Sequence, residues 1–232
     1  MNIKREILTL VMVTVAAAAL HAGAQSPPTP YPTMAPVNRY LIANRSVEIA
    51  LARTAAPASI SGKAKVMVLG RDGFQVAVPG TNHFVCLVER SWDAAIGDPN
   101  FWNPHIRGPD CFNAAAARTF LPIVFMKTRL ALAGKSQAQI DAAMQVAFNQ
   151  KKLPALEPGA MCYMLSKESY VSDQARNWHP HLMFFVPLSM GKAWGANLAG
   201  SAVLSSDDAS DRLTIYLIPV ARWSDGTLDP KG

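Results

Sequence analysis

The sequence predicts an α+β domain: a largely antiparallel sheet of about six or seven strands with three or four helices packed on it. Two observations carry that expectation. Strand-like alternation gathers between residues 65 and 90 and again after residue 159, while helical periodicity fills the middle of the chain. Regular strand–helix–strand alternation, the mark of a parallel sheet, is missing.

The first residues read as an address. Lys4 and Arg5 precede an apolar run from Ile7 to Leu20 and the small residues Ala22-Gly23-Ala24. This is the charged, apolar and small-residue plan of a signal peptide (1–24), with cleavage before Gln25 and a periplasmic or secreted destination. The run is too short for a membrane span, and no cysteine follows the cleavage point to take a lipid. Prolines 27, 28, 30, 32 and 36 make residues 25–36 an extended tether, because proline supplies no ladder or helix donor. Residues 37–232 then form a single globular domain of roughly 195 residues, enough for a substantial core. Lys4, Arg5 and Glu6 together carry +1 of the formal +6 charge, so +5 remains, scattered without a basic stripe. That excludes a nucleic-acid face.

Val37 to Thr54 has the apolar spacing of an amphipathic helix that ends before Pro57. Lys65 to Val68 and Phe74 to Val78 flank Arg71-Asp72-Gly73 as a hairpin. A third strand from His83 to Arg90, with Cys86 and Val88 on one face and Val85, Leu87 and Glu89 on the other, completes an antiparallel meander. Trp92 to Phe112 is dense in glycine, proline, asparagine and aspartate and reads as a long loop. Asn113 caps a helix over Ala114 to Ala133 that Pro122 kinks or splits, and Ser136 with Gln139 forms a capping box opening the next helix. Gly159 to Ser166, His181 to Leu188, Ser201 to Ser205 and Leu213 to Trp223 supply the remaining strands.

Cys86, Cys111 and Cys162 are an odd set in an oxidising compartment, which implies one disulfide and one leftover thiol. Cys86 with Cys111 is the preferred pair, since it ties a strand end to the start of a helix. Cys162 then stays within an apolar strand.

The stretches Phe101-Trp102-Asn103-Pro104, Cys111-Phe112-Asn113, Tyr163-Met164-Leu165-Ser166 and Trp178-His179-Pro180-His181-Leu182-Met183-Phe184 resemble a group of uncharacterised exported bacterial proteins. The resemblance covers most of the mature chain. It implies a signal peptide and one domain, and brings no activity with it.

The candidate chemistry centres on His179-Pro180-His181. Proline fixes its own φ and biases His179 toward an extended conformation, where residues two apart point to one face. The favoured reading is a small-molecule site where Trp102, His105, Trp178, His179 and His181 gather at the loop ends with asparagines nearby. A second is a transition-metal site with His179 and His181 as ligands and His105, His83, Asp110 or Asp173 as a third. A third is hydrolysis by Ser166 or Cys162, with His179 or His181 as base and Asp173 orienting it. Ser189 and Lys192 match Ser-x-x-Lys, but the other elements of penicillin-recognising enzymes are absent. Two-carboxylate acid–base work would depend on which of Glu89, Asp110, Glu168 and Asp225 the fold brings together.

Overall fold

A computed structural model describes residues 30–230 apart from 189 and 191, so the predicted signal peptide lies outside the described residues. Among them, eight strands form one sheet: β1 Lys65–Gly70, β2 Gly73–Val78, β3 Val85–Glu89, β4 Gly108–Phe112, β5 Met161–Met164, β6 His181–Pro187, β7 Leu204–Asp208 and β8 Leu213–Pro219. Their order is β2-β1-β3-β4-β5-β6-β8-β7. Five α-helices pack on it: α1 Arg45–Arg53, α2 Ala58–Ser61, α3 Ala114–Thr119, α4 Leu121–Leu132 and α5 Gln137–Asn149. The α+β class stands, with one strand and one helix more than the upper expectation.

Alternation gives each face of the sheet its own cover. Val66, Cys86, Val88 and Cys111 cluster with Ala52, Ala55 and Ala56 at the end of α1. On the other face Leu87, Phe112, Cys162 and Phe185 join Phe120, Leu121, Ile123 and Ile140 from the α3–α5 layer. Phe120 stacks on Phe185 at 3.8 Å between ring centroids, and full burial of such a ring contributes roughly 2 kcal/mol. Of the proline-rich segment, Tyr31, Met34 and Ala35 rest against this second cluster.

Several elements differ from expectation for identifiable reasons. The first helix is interrupted: Val37–Arg39 is a single 3₁₀ turn, and Asn44 then caps α1 by accepting from the Ser46 amide at 2.9 Å. The meander fails because β3 pairs with β1 in parallel, through Lys65 with Val85 and Val66 with Cys86. The link from β2 must then cross the start of β1, and at Gly80 an added Cβ would sit 2.1 Å from the Lys65 nitrogen. Only glycine permits that crossing. The long loop contains a buried strand, β4, paired along its whole length with β3. Pro109 is tolerated there because β5 pairs only with Cys111 and Phe112, so β4 is locally an edge.

The 114–133 helix divides at Phe120, with Pro122 in the first turn of α4, where its missing N–H costs nothing. The capping box of α5 is present, with Gln139 N–H donating to Ser136 Oγ at 3.3 Å. β7 begins three residues later than expected, and β8 ends at Pro219.

Candidate ligand-binding site

The disulfide joins Cys86 to Cys111, directly opposed on β3 and β4. In the same ladder Leu87 faces Asp110 and Glu89 faces Gly108, so Glu89 and Asp110 project to the face that carries the α3–α5 layer. β3 then passes into a 3₁₀ turn, Ser91–Asp93, where the Arg90 amide donates to Asp93 Oδ2 at 3.0 Å and fixes a third carboxyl nearby. Across the sheet, His181 pairs with Met164 at the start of β6. Glu89, Asp93, Trp178 and His181 border a cavity of about 360 Å³ whose apolar wall includes Met164, Met183 and Leu217. Gly108 lies on its lining, and a Cβ built there would stand 3.5 Å from Asp110 Oδ2.

The cations around the cavity are already engaged. Arg90 is fully buried and donates to Glu48 Oε1 at 2.8 Å, to the Tyr40 carbonyl at 2.7 Å and to the Val88 carbonyl. Lys127 from α4 donates to Asp211 Oδ2 at 2.8 Å and to the carbonyls of Ala94 and Asp93 at 2.8 and 3.3 Å. The acids are not balanced in this way. Glu89 Oε1, Asp93 Oδ1 and Asp110 Oδ2 are buried and accept from no N–H or hydroxyl donor among the described residues, while Glu89 and Asp110 share a side-chain hydrogen bond with each other, a proton held between two carboxyls. Burial first, and then the neighbouring Asp110, pushes Glu89 well above the ordinary carboxyl range. Burial does the same to Asp110, reinforced by Asp93, and raises Asp93 to about 7.

The histidines are held in different ways. His181 Nδ1 lies 2.7 Å from the carbonyl of His179, which can only accept, so Nδ1 carries the proton. Burial lowers its pKa and favours the neutral ring, leaving Nε2 as an acceptor. His179 Nδ1 lies 2.6 Å from Asp229 Oδ2. Trp178 stands edge-on to both rings, at 4.8 Å from His181 and 5.5 Å from His179. These three predicted site residues are therefore together.

The other two lie elsewhere. Trp102 is buried in the core, packed edge-on against Phe101, and its carbonyl accepts from Tyr40 at 2.8 Å. His105 sits 3.8 Å from Asp173 Oδ1, between Tyr31 and Tyr170. Trp92 and Trp223 are core residues, and Trp194 stacks on Tyr216.

No group of three or more His, Cys, Asp or Glu residues among the described residues is placed to hold a metal ion. Cys162 is fully buried and its Sγ donates to Asp110 Oδ1 at 3.4 Å; burial and Asp110 raise its pKa, which disfavours a thiolate. Ser166 is buried 2.6 Å from Thr54 Oγ1. Asp173 accepts from Tyr31, Asn103 and Tyr170, and the carboxylate on His179 is that of Asp229. Ser189 lies outside the described residues. Of the four carboxylates weighed from sequence, Glu89 lines the cavity and meets Asp110 behind it, whereas Asp225 pairs with Lys167 at the surface. Asp93, Asp229 and the Lys127–Asp211 pair carry no sequence motif; the one hint was a lysine within the apolar α4 run.

Comparison of the chain with protein-family models, curated proteins and solved structures gave no match.

Proposed function

We propose that this protein binds a small organic molecule in the cavity between Trp178, His181 and the Glu89–Asp110 end of the sheet. The observation that carries the reading is a recess of about 360 Å³ that combines an apolar wall with the Glu89 and Asp93 carboxyls and the His181 ring. Ligand sites have this composition, mostly apolar with a few convergent polar groups. Neutral His181 offers an acceptor and Trp178 a ring edge or face; His179 acts indirectly, its carbonyl setting the tautomer of His181. The charged–apolar–small N-terminus and the Cys86–Cys111 bond support binding outside the cytoplasm, in the periplasm or after secretion.

Gly108 gives the test. Its φ is not in the left-handed region, and the nearest atom to an added Cβ is the flexible end of Met164 at 3.2 Å. Gly108→Leu should therefore fold and fill the recess. In thermal-shift screening of the mature protein against small organic molecules, compounds that stabilise the wild type should have no effect on Gly108→Leu. An absence of stabilising compounds, or equal stabilisation of both proteins, would refute the reading. A second reading, acid–base catalysis, draws on Asp93, whose pKa of about 7 suits proton transfer; chemical change in a bound compound, abolished by Asp93→Asn, would distinguish it.

A further inference from the structure

The cavity is bordered by buried acids with no cation turned toward them, and its chemistry selects among ligands. Resting on the binding reading above, we propose that the ligand is an organic ammonium ion: a protonated primary or secondary amine on a small apolar body. Glu89 and Asp93 lie on the cavity lining, and Asp93 Oδ1 is buried without a donor among the described residues. Asp110 is fully buried behind that lining and shares a side-chain hydrogen bond with Glu89. The hydrogen-bonded donors of Arg90 and Lys127 point to Glu48, Asp211 and main-chain carbonyls. An anion would meet carboxyls with no cation turned toward it, and a neutral apolar molecule would leave Asp93 Oδ1 unpaired. A compact N–H donor with positive charge satisfies both demands. Met164, Met183 and Leu217 then cover an apolar body, and Trp178 supplies an aromatic ring of the kind that attracts cations. A bare metal ion fits less well, since no three ligating side chains converge among the described residues.

Burial holds Glu89, Asp93 and Asp110 as acids with raised pKa values when the cavity has no cation. Arrival of an ammonium ion favours their ionised forms, so binding releases protons to the buffer.

The test uses the mature full chain and a series of primary ammonium ions from propylammonium to 2-phenylethylammonium, each paired with the alcohol of the same skeleton. Calorimetric titration should show at least one ammonium ion binding about tenfold or more tighter than its alcohol. Measured near pH 6 in buffers of different ionisation enthalpy, the heats should report proton release. Glu89→Gln and Asp93→Asn keep the shape of the site while removing an ionisable group from its lining. Each should weaken the ammonium ion about tenfold and leave the alcohol within about twofold. If every alcohol binds as well as its ammonium ion, or if the two variants leave the difference unchanged, the ammonium inference fails while the pocket reading stands. If neither series binds and the Gly108→Leu screen is also blank, both fail.

Discussion

Burial holds Asp93 at about 7 against an ordinary 3.8, so between those values the folded protein keeps a proton that the unfolded chain has released. A raised carboxyl pKa makes stability fall as pH rises through that window. His181 works the other way: its lowered pKa makes stability rise with pH up to the ordinary histidine value of 6.5. Comparison with Asp93→Asn separates the two, because the amide still accepts from the Arg90 backbone but does not titrate. The melting-temperature loss between pH 5 and pH 8 should be smaller in the variant than in the wild type; equal losses would remove Asp93 as the cause. At this scale the sequence placed His181 at the start of a strand, since proline and alternation are local. It did not disclose Asp229 on His179, a contact 50 residues away in the chain, nor which acids meet. Glu89 and Asp110 are neighbours only because β3 and β4 are paired in one register.

Elements followed local signals except where a tertiary neighbour overruled them. The capping box of α5 and the break near Pro122 depend on residues within one turn, and both were legible. β4 was not, because Gly108, Pro109 and Asp110 carry turn propensity and only the flanking strands make them extended. The parallel β1–β3 pair was hidden for a similar reason: a six-residue link reads as a hairpin unless one knows that Gly80 slips past Lys65. The Cys86–Cys111 bond clamps the two strands that present Glu89 and Asp110, closing a sequence separation of 25. Replacing both cysteines by alanine should lower unfolding stability by about 3 kcal/mol in urea titrations, mainly by freeing the unfolded chain. A change below about 0.5 kcal/mol would show that the paired strands need no clamp.

Across the whole molecule, the sheet is covered by α1 on one side and the α3–α5 layer on the other, while the cavity opens where loops replace helices. Asp173 binds these loops together, accepting from Tyr31 of the N-terminal segment, Asn103 of the 91–107 loop and Tyr170 of the 165–180 loop. Asp173→Ala should raise amide exchange about tenfold over residues 100–106 and 170–178, leaving β3 to β6 unchanged. Equal exchange in both proteins would show that the loops are held by other contacts. Sequence composition gave the α+β class and the clustering of aromatics in these loops, but could not tell Trp178 at a cavity from Trp102 in the core, because burial depends on the whole chain.

The two sheet faces have one more consequence, for oxidative maturation. Cys86 and Cys111 lie under α1, whereas Cys162 points into the opposite layer. Once β5 has docked beside β4, the sheet itself stands between the spare thiol and the bond it might attack. Thiol–disulfide exchange is thereby confined to the interval before the central strands assemble, and the finished protein cannot shuffle its bridge without opening its middle.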